Sequence, residues 1–406
     1  MAFGFRFKEL PPVAGLEIGT TQTVVLVGES MDGKGGDIRI IGKGVKRSMG
    51  VCKGMIGEVG QARLAVQEAV KAAEDEGDVN IGQVMLAVSG GDIESEVATG
   101  HALVESGVVS REDMEEAREM AGAASVKDDR QILHSIPQFY KLDGQVGIAQ
   151  PEGMHGKQLA ANILVVHGKR NHLDDAIAVV RGSHLDVRDT VFAGICAAKA
   201  VLSPEQKRNG VLLVHLGGGV TNYVCFVNGA PALAASLPVG GDHVTNDIKF
   251  AFNLNTAQAD QIKRERGCAV LDPQVLQQRL TLSQGQGFGE RTITLRSLHT
   301  VMNARLAELF HVIRHIVDEH GFLPHLASGV VLTGGGAYVS CLTELVARIF
   351  GAPCVIGQIR GISGLEDVPA PASFAAAAGL ILHGFETAPG DASFWGKLKN
   401  AVGGEG

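Results

Sequence analysis

Val211-Leu212-Leu213-Val214-His215-Leu216, then Gly217-Gly218-Gly219-Val220, then Thr221-Asn222-Tyr223-Val224-Cys225-Phe226-Val227 reads as a strand, a glycine turn and a second strand. Short apolar runs bounded by turn formers fit strands of a core sheet better than helices, which need more length. Asn228-Gly229 follows as a hairpin signal, and Ala230 to Leu237 completes a third strand. The same order stands about 200 residues earlier. There Val13 to Ile18 is a strand, Gly19-Thr20-Thr21-Gln22 a turn and Thr23 to Val27 a strand; Ile38 to Ile41 is a third after Met31-Asp32-Gly33. The chain is internally duplicated.

A third glycine turn, Thr333-Gly334-Gly335-Gly336, follows a strand at Gly329 to Leu332 and leads into a helical stretch, Ser340 to Phe350. Amphipathic patterns predict helices over Val59 to Glu76, His172 to Arg181, Thr256 to Arg266 and Leu298 to Glu319. Strands and helices alternate, so the fold class is α/β. Between Val84 and Val166 lies what reads as an inserted module. It has an apolar run at Val84 to Val88, a Ser110-Arg111-Glu112-Asp113 capping signal, and strands at Gln131 to Leu142 and Leu159 to Val166. From about Gly384 the composition shifts to a linker, Thr387-Ala388-Pro389-Gly390, and a short tail.

The 406 residues exceed one core and suggest two to four domains. Hydrophobic residues make up 45% and charged ones 20%, which excludes a disordered chain. Net charge is −8 with no long Lys/Arg block, which argues against nucleic acid as a partner. The six cysteines are dispersed with no C-x-x-C pair, as expected of a reduced cytoplasm. No apolar run approaches the roughly 20 residues of a membrane span, and Met1 to Glu9 lacks a secretory h-region. His311 and His315 stand four apart without the Glu of a zinc motif, so a solvated helix face is expected and no metal site is assigned.

A glycine hairpin after a strand lets backbone N–H groups approach an anion without a Cβ in the way. A lone hairpin of this kind is more often a tight turn and nothing else. Two hairpins in duplicated halves, with a third glycine turn, point instead to a polyphosphate held between them.

In these motifs the chain resembles the actin/Hsp70/sugar-kinase superfamily and, within it, the FtsA family of bacterial cell-division proteins. Leu16-Glu17-Ile18-Gly19-Thr20 is similar to the first phosphate loop, Leu216-Gly217-Gly218-Gly219-Val220-Thr221-Asn222 to the second, and Val331 to Ala337 to the adenosine loop. Leu133 to Tyr140, Val191-Phe192-Ala193-Gly194, Ala259-Asp260-Gln261-Ile262-Lys263 and Gly379 to Gly384 are similar to FtsA in particular. The resemblance implies a duplicated actin-like, ribonuclease H-like fold of two lobes. Its first lobe (1A) would span 1–83 and 167–208, with an FtsA-type insert (1C) at 84–166. The second lobe (2A) would span 209–242 and 325–384, subdomain 2B 243–324, and the linker and amphipathic tail 385–406. It further implies ATP, with or without Mg2+, on phosphate-binding residues Gly19, Thr20, Thr21, Gln22, His215, Gly217, Gly218 and Gly219. Asp260, Lys263, Gly334, Gly335 and Gly336 would hold the adenosine, although an exposed helix face is almost as good a reading of Asp260 and Lys263.

Where relatives carry an acid before the second loop, this chain has His215; Glu17 replaces a commoner Asp, Gln22 a Lys and Asn222 an Asp. No Glu near Val191 to Ala197 offers itself to orient water, so slow or absent hydrolysis is expected. His215 either contacts phosphate, partly replacing Mg2+, or simply ends a strand in a decayed site. The resemblance also implies that Arg305 receives the acidic C-terminal tail of the tubulin-like FtsZ, though an ordinary surface Arg fits the sequence too. It implies that the chain self-associates into filaments and that the insert meets other division proteins. Phe394, Trp395, Lys397 and Leu398 would form a helix lying on an anionic membrane at the cytoplasmic face of the division site. A frayed tail folded back on the body is the bland alternative there. The expected role is an adaptor tethering FtsZ filaments, at most weakly active as an ATPase. Competing expectations are a PilM-like pilus-assembly protein, an active ATPase or kinase of the superfamily, and a chaperone; the last lacks a peptide-binding domain.

Overall fold

The computed structural model describes residues 10–33, 35–123, 126–271, 277–282 and 291–387. Two large sheets carry the duplication. The first has six strands, in the order Asp186–Phe192, Gln83–Val88, Val13–Ile18, Gln22–Ser30, Ile38–Arg47 and Ile362–Ser363. The second has five, in the order Ala230–Leu237, Thr221–Val227, Val211–Leu216, Val330–Thr333 and Cys354–Ile356. In each, the strand that opens the antiparallel hairpin pairs in parallel on its other side: Gly15 opposite Met85, and Leu212 opposite Val330. Parallel partners are buried on both faces, which explains why these strands are nearly all apolar in sequence.

Helices cover the sheets. In the second lobe, Leu295–Glu319 lays Leu298, Met302, Phe310 and Ile313 into a core shared with Val214 and Leu332. In the first, Ala375–Glu386 and Ala193–Val201 share one core with the sheet. Their contact is close because it is made by small residues: a Cβ on Gly379 would lie 1.8 Å from the Cys196 carbonyl oxygen. Helices that meet backbone to backbone in this way tolerate no added methyl group without moving apart.

A smaller sheet, in the order Glu94–Leu103, Gln158–Lys169, Arg130–Leu142 and Gln145–Ile148, packs against helix Arg111–Ala123 over its own core of Val104, Met114, Ala117, Tyr140 and Leu159. It is braced on the edge strand of the second lobe. Ala234 N–H donates to Ser95 Oγ at 2.9 Å and Ile93 N–H to Ser236 Oγ at 3.2 Å.

Two boundary expectations need correction. Val84–Val88, assigned to the insert, lies inside the first large sheet between Val13–Ile18 and Asp186–Phe192, because its apolar run is the parallel partner of the hairpin strand. Of residues 325–384, assigned to the second lobe, Ile362–Ser363 pairs with Ile38–Arg47 in the first large sheet and 375–384 pack in the first-lobe core. Among the described residues no helix is long and apolar enough to cross a membrane. The tail residues Phe394, Trp395, Lys397 and Leu398 lie outside the described residues.

Candidate functional site

Both hairpins close with the same hydrogen bond. Gly19 N–H donates to the Gln22 carbonyl at 3.1 Å, and Gly217 N–H to that of Val220 at 2.9 Å. The tips meet face to face, since a Cβ on Gly218 would lie 2.0 Å from Thr21 Oγ1 and one on Gly219 2.6 Å from Thr20 Oγ1. The glycines of the second hairpin thus accommodate the threonines of the first. Thr20 Oγ1 also accepts from Gly54 N–H at 2.9 Å, which draws the turn Lys53-Gly54 onto the cleft. Lys53 takes a left-handed φ of 50°, and its Cα is 2.9 Å from the Cβ position of Gly219.

The second hairpin rests on the start of helix Gly241–Phe252. Gly241 N–H donates to the Gly217 carbonyl at 3.0 Å and Asp242 N–H to that of Gly218 at 2.8 Å. The positive end of this helix therefore points at the hairpin, where an anion gains most from it. Gly240 N–H donates to His243 Nδ1 at 3.1 Å. Burial first, then the Lys53 and Arg305 charges, push His243 below the usual imidazole range, in keeping with a ring nitrogen that accepts.

Asp260 and Lys263, on helix Thr256–Arg266, are tied into the same corner. Lys263 Nζ lies 2.8 Å from Asp260 Oδ1 and donates to Thr245 Oγ1 at 2.6 Å and to the Gly241 carbonyl at 3.2 Å. Only 11% of the Lys263 side chain is exposed, so the exposed-face reading fails for it. Burial acts to raise the Asp260 pKa, but Lys263 and Arg264 outweigh it and hold the carboxyl below its usual range.

The third turn closes the wall. Gly334, at φ 82°, donates its N–H to the Ala372 carbonyl at 2.9 Å, and a Cβ on Gly336 would lie 2.4 Å from Leu216 Cγ. Gly335 has nothing within 4 Å of a Cβ. Two glycines are thus required by packing on the second hairpin strand, whereas the third borders open space.

Glu17 and His215 occupy equivalent places, each two residues before the first glycine of its hairpin. The strand ends bring them together across the lobes: His215 Nε2 is 3.7 Å from Glu17 Oε1, with the side chains 6% and 14% exposed. Glu17 Oε2 and His215 Nδ1 are both buried without a hydrogen-bond partner among the described residues. His215 ends its strand facing a carboxylate. Beside it, Asn222 Oδ1 accepts from Ser89 Oγ at 3.2 Å, a second link between lobes.

The hairpins therefore bring together Gly19, Thr20, Thr21, Gln22, His215 and Gly217 to Gly219, with Asp260, Lys263 and Gly334 to Gly336 around them. Sequence reasoning missed Lys53, Asp242 and Thr245, which no motif marks. Arg305 is elsewhere and already engaged: Nε and Nη2 donate to Asp247 at 2.6 and 3.1 Å, and Nη1 to Glu308 at 2.6 Å.

The glycine hairpins, the start of helix Gly241–Phe252 beside them and the unpartnered His215 Nδ1 suit a polyphosphate, whereas the buried Glu17 carboxylate opposes one. Mg2+ fits the facing strand ends poorly. It seeks hard oxygen ligands, and the position opposite Glu17 offers an imidazole. Among the described residues no group of three or more His, Cys, Asp or Glu side chains is placed to hold a metal ion.

Residues 212–379 match the family model "Cell division protein FtsA", and residues 90–167 match "SHS2 domain inserted in FTSA". Cell division protein FtsA of Escherichia coli K12 is 31% identical over 382 residues, covering 92% of this chain and 90% of that protein. That of Pseudomonas aeruginosa PAO1 is 30% identical, covering 92% and 89%. Among solved structures, the PilM-PilN type IV pilus biogenesis complex matches with a TM-score of 0.64 at 16% identity, covering 92% of this chain and 98% of that one. MreB5 of Spiroplasma citri bound to ADP matches at 0.56 and 12% identity, covering 98% and 100%. These two likenesses concern the fold, which is the two-lobed actin-like one; the sequence relationship goes further, and the chain belongs to the FtsA family of cell-division proteins.

Proposed function

We propose that the chain is a division adaptor that binds ATP between its hairpins, assembles into filaments and tethers FtsZ to the cytoplasmic face of the membrane at the division site. The observation that carries the nucleotide part is the tip-to-tip meeting of the two hairpins, Thr20 and Thr21 against Gly219 and Gly218. Backbone N–H groups at such turns bind phosphate oxygens, and Lys53, whose Cα lies against Gly219, adds a positive charge there. Asp260, Lys263 and the open side of Gly335 suit the nucleoside end.

Chemistry at this site is poorly provided for. The Glu17 carboxylate faces an imidazole and not open solvent, so its freedom to orient an attacking water is reduced. ATP would act as an assembly switch more than as fuel.

The FtsZ contact would be electrostatic. Arg305 already holds Asp247 and Glu308, so a tail carboxylate would displace Glu308, whose side chain is 62% exposed, while Asp247 keeps the guanidinium oriented. The insert would present its surface to other division proteins, and the tail helix around Trp395 would meet anionic lipid.

The test is co-sedimentation of the full chain with anionic vesicles, with and without ATP and FtsZ, beside a truncation ending at Gly384. The adaptor reading expects FtsZ in the pellet only with the full chain. Should FtsZ stay in the supernatant with full chain, ATP and vesicles present, the tethering role is wrong.

A further inference from the structure

We infer that Lys53, carried on the turn between strands Val51–Cys52 and Met55–Ile56, contacts the terminal phosphate of the nucleotide and so lets the cleft tell a triphosphate from a diphosphate. The inference rests on the nucleotide reading above and specifies which phosphate meets which charge.

This turn is an unfavourable place for a lysine. A two-residue hairpin loop with positive φ at both positions is best met by Asn, Asp or Gly. Gly54 fills the second position at φ 72°, but Lys53 stands in the first at φ 50°. The backbone gains nothing from Lys53, which leaves its side chain to account for it. Local rules are broken in this way most often beside functional sites. Such a site adjoins the turn. Gly54 N–H donates to Thr20 Oγ1 at 2.9 Å, and the Lys53 Cα lies 2.9 Å from the Cβ position of Gly219. The turn therefore touches the tips of both hairpins, belonging to the first lobe and resting on the second.

Of the two lysines at the hairpins, Lys53 is the one with charge to offer. Lys263 is paired with Asp260 and donates to Thr245 Oγ1 and the Gly241 carbonyl. Lys53 is exposed and has no carboxylate partner among the described residues.

Helix Gly241–Phe252 separates the two lysines. Gly241 and Thr245, which hold Lys263, are four residues apart and share one face. His243 lies two residues from each and so on the opposite face, about 200° around from Gly241. Burial first, and then the Lys53 charge, hold the His243 ring below the usual imidazole range, so Lys53 acts from that side. Lys263 marks the nucleoside end with Asp260 and Gly334 to Gly336. The Lys53 side is where the far end of the polyphosphate would lie. A terminal phosphate carries more negative charge than a bridging one and gains more from an ammonium.

The test compares a fluorescent ATP analogue with its diphosphate counterpart, each titrated by anisotropy against the full chain in Mg2+ buffer. Lys53→Gln is expected to weaken the triphosphate about tenfold and the diphosphate less than about threefold. Lys53→Arg keeps the charge and is expected to bind the triphosphate within about threefold of the parent. Lys53→Gly suits the turn but removes the charge. It is expected to melt no lower than the parent and yet to lose the triphosphate as Lys53→Gln does. Should Lys53→Gln fail to fold, Lys53→Gly supplies the same comparison.

Equal losses for the two nucleotides overturn the inference, because Lys53 would then attract anions without regard to the terminal phosphate. An unchanged triphosphate affinity in Lys53→Gln or Lys53→Gly overturns it too. A parent chain that binds neither analogue refutes the nucleotide reading itself, a result distinct from both.

Discussion

The two hairpins have the same backbone and opposite side chains. Each closes on the N–H of its first glycine, yet the first carries Thr20-Thr21-Gln22 where the second carries Gly218-Gly219-Val220. Duplication accounts for the shared backbone; the packing of one tip on the other accounts for the difference. If both tips carried Thr they would collide, and if both carried Gly nothing would fix the spacing. The asymmetry makes a specific claim about which residue excludes which.

Gly218→Ala is expected to give the largest effect. Its methyl group would sit 2.0 Å from Thr21 Oγ1, so Thr21 must turn away or the tips separate. Affinity for an ATP analogue should fall about a hundredfold, roughly 2.7 kcal/mol, by anisotropy titration. Thr21→Gly in the same chain removes the obstacle and should recover most of the loss. A Gly218→Ala chain that binds normally would show that the tips move apart freely, and the comparison would lose its basis. Gly335→Ala is the control from the third turn, where nothing lies within 4 Å. Its melting temperature should stay at the parent value, within about 0.5 kcal/mol of stability, while nucleotide affinity falls through crowding of the cleft.

Much of the frame was legible because its signals are local. The strands Val13–Ile18, Val211–Leu216, Thr221–Val227 and Ala230–Leu237 and the helix Thr256–Arg266 begin and end where apolar runs and turn residues say they should. Leu295–Glu319 starts three residues earlier than its apolar pattern, since Thr294 Oγ1 caps it by accepting from Ser297 N–H. What the sequence did not show was partnership at long range. An apolar run such as Val84–Val88 looks alike whichever sheet receives it. The helix Ala375–Glu386 belongs to the first lobe because Gly379 fits the Cys196 carbonyl, a match across 183 positions that no periodicity reports. Within the site, His215 was visible as an oddity, but its meaning came from Glu17 opposite. Lys53 reaches the cleft only through a left-handed turn between two two-residue strands, too short to announce itself.

A smaller effect tests whether the second lobe separates its two charged sites as it separates cleft from surface. Arg305 is fastened at one end by Asp247 and loosely at the other by Glu308. Arg305→Ala should weaken binding of an acidic FtsZ-tail peptide about tenfold, roughly 1.4 kcal/mol, in a calorimetric titration. Glu308→Ala should leave binding equal or slightly tighter, by removing the competing carboxylate. Neither should alter ATP affinity, and a change in both would mean the sites are coupled through helix Gly241–Phe252, which carries Asp247 as well as Asp242.

The smallest expected effect concerns Asp260, which pairs with Lys263 and Arg264 on its own helix and so holds Lys263 Nζ where it donates to the Gly241 carbonyl and Thr245 Oγ1. Burial acts to raise the Asp260 pKa, but the partners Lys263 and Arg264 outweigh it and hold the carboxyl below its ordinary value in the folded protein. A depressed carboxyl favours the folded state while it is ionised. Its contribution is therefore complete above the unfolded value and is lost as pH falls through the lower, folded one. Solvent screening at a partly exposed site keeps the contribution under about 1 kcal/mol. Asp260→Asn should then melt at nearly the parent temperature at acid pH and slightly below it at neutral pH, the gap closing as pH drops past the carboxylate range. A gap that persists at acid pH would mean that Asp260 acts through shape and hydrogen bonding, and that its charge is not what holds Lys263 within reach of Gly241 and Thr245.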